Sequence, residues 1–243
     1  MDGKYLTPLV TNVGNFSKPT SDVPALISLD EVRTLFHEFG HALHVLFQNV
    51  TYPYAGSVPS DFVELPSQIM EKWAMQPEVL QMYAKHYKTG EAIPQELIEK
   101  IDNSKYFNQG FETLEYIAAS LLDMDWHVIT ETSEKDVAQF EKSSIEKMGL
   151  IPQIWPRYLT TNFIHIATWG YESGYYSYLW SAVLDADAFE SFMENGLFDK
   201  STADSFRKNI LSKGGSEDPM ELYVTFKGRK PSVDALLKNR GLN

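Results

Sequence analysis

The chain has 243 residues, 43% apolar, 22% charged and 13% aromatic, ordinary values for a globular protein with room for a large core. Its formal net charge of −12 argues against nucleic acid and anionic membranes as partners, because both need clustered Lys or Arg. The absence of cysteine excludes a disulfide framework and a thiolate metal site, so any metal must be held by His, Asp or Glu.

The N-terminal stretch MDGKYLTPLV has no signal-peptide pattern, and no apolar run in the chain reaches membrane-spanning length. Residues Tyr5–Phe16 alternate and are β-branched in places, which predicts one or two short strands. SKPTSDVP then reads as a loop. Ser28 and Glu31 form an S-x-x-E capping box, after which Leu29, Val32, Leu35, Phe36, Phe39, Ala42 and Leu43 recur at helical spacing. FHEFGHALH at 36–44 therefore lies on a buried amphipathic helix.

Thr51 to Ser60 is a loop, and a second helix is expected from about Asp61 into the eighties, with Pro66 in its first turn or at a kink. Further helical patterns cover about 95–103, 107–130, 134–147, 174–194, 202–211 and 233–239. The stretch 149–170 is mostly irregular, and no clean domain boundary or repeat is visible. The expected fold is mainly α, a helical bundle with a small β element near the N-terminus.

His37 and His41 stand four apart on the first helix, so both imidazoles project from one face and can reach one point. Glu38 follows His37 and can reach a water at that point, the H-E-x-x-H arrangement of zinc peptidases. A third protein ligand is still required. His44 does not fit the longer three-histidine pattern and is expected behind the ligands or partly exposed. In SDFVELPSQIMEKW, Glu64, Gln68 and Glu71 fall on one helical face, and by spacing alone Glu64 and Glu71 are equal candidates.

FHEFGHALH followed by DFVELPSQIMEKW resembles the thimet-oligopeptidase family of zinc metallopeptidases, and its peptidyl-dipeptidase branch in particular. The resemblance continues through RYLTTNFIHIATWGYESGYYSYLWSAVLDADAF and GGSEDPMELYVTFKGRKPSVDALLKNRGL, and reaches back to TPLVTNVGNFSKP. It implies a zincin-like catalytic half of an oligopeptidase over residues 1–243, with one Zn²⁺ per chain held by His37, His41 and Glu64. It further implies Glu38 as catalytic acid and base, and Glu71 as a residue that orients a ligating histidine.

Tyr171, Tyr175 and Tyr178 would share a face if their segment were helical throughout, and such a stripe is more often core. The resemblance raises Tyr171 and Tyr178 to hydrogen-bond donors in the transition state and His165 to a substrate contact, and leaves Tyr175 as packing. Release of C-terminal dipeptides also needs a fixed cation or several donors for the substrate carboxylate, for which Arg157 is the candidate, with Tyr158 beside it as a further substrate contact. His86 is expected to be exposed, and His127 structural.

Two departures stand out. Where relatives carry a glycine-rich run, this chain has Ala167-Thr168-Trp169-Gly170, and Trp would stiffen that loop. Relatives also carry a long helical region upstream, so the chain is expected to be either the C-terminal part of a longer one, with the N-terminal half a partner, or a natural minimal form. The expected substrates are short peptides, cut in cytoplasm, or in periplasm where an export signal has been removed. The rival readings are an oligopeptidase that cuts inside peptides, and an inactive zinc-binding fragment.

Overall fold

The computed structural model describes Gly3, residues 6–168 and residues 170–242. The helices are α1 Leu29–Phe47, α2 Ser60–Ala74, α3 Pro77–Tyr83, α4 Gln95–Ser104, α5 Gln109–His127, α6 Val137–Met148, α7 His165–Thr168, α8 Ser177–Asn195, α9 Lys200–Phe206, α10 Pro219–Lys227 and α11 Asp234–Arg240. A π-helical turn, Arg207–Leu211, continues α9. No helix among the described residues is long and apolar enough to cross a membrane.

The β element expected at Tyr5–Phe16 does not form. Tyr5 lies outside the described residues, and residues 6–16 hold no strand. The one β contact among the described residues is an isolated antiparallel bridge between Lys85 and Ala92. Alternation permits a strand, but only a paired neighbour satisfies its main-chain groups, and this segment has none. Leu9 and Val13 accordingly face solvent at 96% and 87% exposure. The segment is tied down where Glu31 Oε1 accepts the N–H and hydroxyl of Ser17, at 2.6 and 2.8 Å.

The capping box forms as read: Ser28 Oγ accepts the Glu31 N–H, and Glu31 Oε2 accepts the Ser28 N–H at 2.6 Å. These bonds from Ser28 and Ser17 hold the Glu31 carboxyl down at about 2. The second expected helix is two. Gln76 adopts an extended ψ of 139° because the following Pro77 disfavours helical geometry, so α2 ends and α3 restarts at the proline. Pro66 lies inside α2, past its first turn, rather than within that turn. The helix α10 falls outside the expected patterns; its start is an Asp218 cap that accepts from Met220 and Glu221 N–H, with Pro219 in the first turn. The described residues of the stretch 149–170 are mostly irregular as expected, apart from a 3₁₀ turn at Thr160–Asn162 and the short helix α7. The loop stiffening expected from Trp169 falls on a residue outside the described set.

Helix α2 is the pivot of the fold, packed on α1 on one side and α8 on the other. Its Phe62, Leu65 and Ile69 bury against Leu184, Ala188 and Phe192 of α8. Two faces of α2 are thus used. One fills the core, and the other turns Glu64 and Glu71 toward α1, while Gln68 on that face donates to the Tyr178 carbonyl of α8 at 3.1 Å.

What sets the α1–α2 distance is Gly40. A Cβ there would stand 2.3 Å from the Pro66 carbonyl oxygen and 2.5 Å from Ser67 Cα, both main-chain atoms of α2. Gly40→Ala must therefore push the helices apart, at a cost of about 1–3 kcal/mol for overpacking. We expect a lower melting temperature together with at least about tenfold weaker metal binding, because the two helices carry opposite halves of the cluster described next. Unchanged melting and metal titrations would show that the close approach has no such role.

Candidate metal centre and active site

His37, His41 and Glu64 each offer a donor atom within 4.8 Å of the others. The Nε2 atoms of both histidines lie 3.2 Å from the same oxygen, Glu64 Oε2. Two ligands each about 2.05 Å from one ion, at a tetrahedral angle, stand about 3.3 Å apart, so this spacing fits a four-coordinate metal. The donor set also fits: two imidazoles and a carboxylate, with no thiolate.

The surroundings prepare each ligand. Glu71 Oε1 meets His37 Nδ1 at 2.7 Å, and Glu71 Oε2 accepts from Arg33 at 3.1 Å. The Glu71 carboxyl holds Nδ1, so Nε2 is the ring nitrogen turned to Glu64, and an ion bound there would displace the Nε2 proton. Glu64 is 2% exposed. Its Oε1 accepts the Tyr171 hydroxyl at 2.6 Å, and its Oε2 accepts the Ser67 hydroxyl at 2.8 Å.

The charges of these groups are interlocked. Burial pulls the His37 imidazole down, but its hydrogen bonds with Glu64 and Glu71 outweigh that and lift it to about 10. Burial likewise works to raise Glu64, and hydrogen bonds from His37 and His41 hold it well below the usual carboxylate range. Glu64, not Glu71, is therefore the acid that closes the cluster, and Glu71 stands behind His37. The spacing left these two equal, and the three-dimensional crossing of α1 and α2 separates them.

His37 and Glu38 face a cleft of about 690 Å³, whose far wall holds Tyr158, His165, Tyr175 and Tyr178. The tyrosine segment is not helical throughout: residues 172–176 form turns, and α8 begins only at Ser177. Tyr171 and Tyr178 nonetheless come together, their rings stacked at 5.2 Å and 18°. Burial, then the charge of Glu64, raises both phenols, so both remain protonated donors at neutral pH. Tyr175 is 2% exposed and packs among aromatics, as read from the sequence.

His165 sits one ring away, 6.2 Å from Tyr171 and 6.3 Å from Tyr178 between centroids. Burial, and then the Arg157 charge, holds it below its usual value. Its buried Nδ1 has no hydrogen-bond partner among the described residues. The Arg157 guanidinium lies 5.6 Å from the Tyr158 ring centroid and lines the same cleft, without a carboxylate in ion-pair reach among the described residues.

Of the remaining histidines, His86 is exposed and bonded locally to Thr89, and His127 is held by Asp123, both as expected. His44 is 4% exposed, which corrects the partly exposed alternative. Burial, with His41 nearby, lowers it to about 4.

Sequence reading did not single out Arg33, Ser67, Asp123 or Arg240. Arg33 sits four before His37 and was legible as a same-face neighbour. Arg240, in the last turn of α11, reaches the cleft and bonds Thr113 Oγ1 at 2.9 Å. No local pattern marks it.

The model of peptidase family M3 matches residues 1–242. The chain is 45% identical, over 97% of its length, to a protein named dipeptidyl carboxypeptidase of Escherichia coli (strain K12), of which it covers 35%. It is 42% identical over 99% of its length to oligopeptidase A of the same organism, covering 36% of that protein. Saccharolysin of Saccharomyces cerevisiae is 35% identical over 97% of the chain, which covers 34% of it. The chain thus spans about a third of the length of these relatives.

Proposed function

The chain belongs to peptidase family M3, and from that premise we propose that it is a zinc-dependent peptidase that releases C-terminal dipeptides from short peptides. The observation that carries the reading is the convergence of His37 Nε2 and His41 Nε2 on one oxygen of Glu64, beside Glu38 in a cleft of about 690 Å³.

His37, His41 and Glu64 would hold the ion. Bound there, zinc would polarise a peptide carbonyl and bring the acidity of a water into the neutral range, near pH 7. The chain's own residues do the rest. Glu38 takes a proton from the attacking water and delivers it to the leaving amine. The hydroxyls of Tyr178 and Tyr171 donate to the oxygen that gains charge as the carbonyl becomes tetrahedral. Raised phenol pKa values suit that role, since a donor must keep its proton. His165 contacts the substrate from beside the two rings. Glu71 and Arg33 keep the His37 ring in its working tautomer.

Arg157 and Arg240 are the two guanidinium groups of the cleft without a carboxylate partner in ion-pair reach among the described residues. Arg157, beside Tyr158 and His165, is our candidate for the free carboxylate of the substrate. A charge-assisted hydrogen bond contributes about 1.5–3 kcal/mol, so amidating the C-terminus of a test peptide is expected to lower kcat/KM by about 10- to 100-fold. Equal cleavage of free and amidated peptides would instead favour cutting inside peptides, the activity that the name of oligopeptidase A suggests.

The proposal as a whole is tested on purified protein. One zinc per chain, with dipeptides as the released product, is the expected result. One zinc with no turnover would leave only a metal-binding bundle, and no zinc would overturn the reading.

A further inference from the structure

Asp123 is a fully buried carboxylate, 0% exposed, that the proposed mechanism does not use. It lies on α5, and its oxygens point into the tyrosine segment rather than toward the metal cluster. Oδ1 accepts the N–H of Ser173 at 3.0 Å, and Oδ2 accepts the N–H of Tyr175 at 2.9 Å. Oδ1 also meets Nδ1 of His127, one turn along α5, at 2.8 Å.

Two turns earlier on the same face of α5, the Tyr116 hydroxyl donates to the carbonyl of Tyr175, and the two rings stack at 5.0 Å. The turn thus sends the N–H of Ser173 and both main-chain groups of Tyr175 to side chains of one helix. A buried carboxylate is tolerated only when its oxygens are hydrogen-bonded, and here two of the three bonds go to this turn. The turn in exchange needs the anchor. Ser173 is held at φ +54, a left-handed conformation that is strained for a residue with a side chain.

What this turn positions is the donor pair. The Gly174 N–H closes on the Tyr171 carbonyl at 2.8 Å, and the Ser177 N–H on the Gly174 carbonyl at 3.0 Å. Tyr171 is therefore fixed at one end of the clamped turn, and the start of α8, which presents Tyr178, at the other. At its tip, the Tyr171 hydroxyl reaches Glu64 Oε1 at 2.6 Å.

We infer that Asp123 is a positioning residue for peptide hydrolysis, a clamp from α5 that sets the Tyr171 and Tyr178 hydroxyls over the site. The catalytic consequence rests on the peptidase reading above; the clamp itself does not. A displacement of about 1 Å in a positioned group can cost 10²-fold in rate. Asp123→Asn keeps the shape but presents an amide NH₂ to one of the two loop N–H groups, leaving it without an acceptor.

The test is a mutant cycle in the metal-loaded chain, with amide exchange read beside it. Asp123→Asn is expected to lower kcat by about 10- to 100-fold with KM and metal content near those of the unaltered protein. In a background that lacks both hydroxyls, Tyr171→Phe with Tyr178→Phe, the same change is expected to cost less than about threefold, because residues acting through one another are not additive. A full, multiplicative loss in both backgrounds would overturn the inference, since a merely structural defect acts independently of the hydroxyls. In the unaltered protein the Ser173 amide, on an exposed residue, is expected to exchange slowly, and Asp123→Asn to accelerate it and that of Tyr175 at least about tenfold. Exchange of both at the rate of exposed loops before any substitution would also overturn it, even if the variant fails to fold. Should the unaltered chain show no turnover, the peptidase reading fails, while the exchange result still decides the clamp.

Discussion

Glu38→Gln is expected to lower peptide hydrolysis by about 10²–10⁴-fold, the usual contribution of a positioned general base and acid, while leaving the metal in place. Glu38 follows a proposed ligand on α1, is half-buried and faces the cleft, yet it is not one of the three groups that converge on the centre. Glutamine has almost the same size and can hydrogen-bond a water, but it cannot accept the proton as the water attacks. The loss should therefore fall on kcat, with KM little changed. Turnover and metal content measured on the same preparations check this. Equal rates in both proteins at equal metal content would remove Glu38 from the chemistry.

Glu64→Ala is expected to abolish detectable turnover by emptying the centre. If a zinc site of three or four ligands contributes about 10–16 kcal/mol in all, one ligand carries about 3–4 kcal/mol, and affinity should fall by about 10²–10³-fold. The structure adds a second cost. The Tyr171 hydroxyl donates to this carboxylate and would lose its acceptor, whereas the Ser67 hydroxyl keeps the Glu64 main-chain carbonyl at 2.9 Å. Glu71→Ala should weaken binding less, by about 10- to 100-fold, because Glu71 acts through the His37 ring rather than on the ion. Competitive titration against a chromophoric chelator measures both. The reverse order would mean that the two acids have been assigned to each other's places.

That order could not be read from the sequence. The i and i+4 spacing of His37 and His41 forces two imidazoles onto one face of any helix that contains them, so this half of the site was legible from a nine-residue stretch. Glu64 and Glu71 share a face of α2 in the same way, and spacing treats them alike. The family resemblance chose Glu64. The physical reason is the contact at Gly40 and Pro66, which brings Glu64, rather than Glu71, between the two Nε2 atoms.

Elsewhere the limits were of similar kind. Helices with long apolar periods, such as α5 and α8, were placed to within a few residues at each end. The helix α10 is short and follows GGSED, a stretch with every mark of a loop, so only its Asp-Pro start announced it. The N-terminal strand failed because alternation describes one chain, whereas a strand is a property of two. Asp123 could be noticed as an acid within an apolar helix, but its partners lie 50 and 52 residues further on, beyond any local pattern.

The central claim is a single ion held by His37, His41 and Glu64. A crystal of the zinc-loaded protein, with diffraction collected on both sides of the zinc absorption edge, tests it most directly. The account predicts one anomalous peak about 2.0–2.2 Å from His37 Nε2, His41 Nε2 and a Glu64 carboxylate oxygen. A peak elsewhere, or zinc that stays stoichiometrically bound in Glu64→Ala and His37→Ala alike, would contradict it.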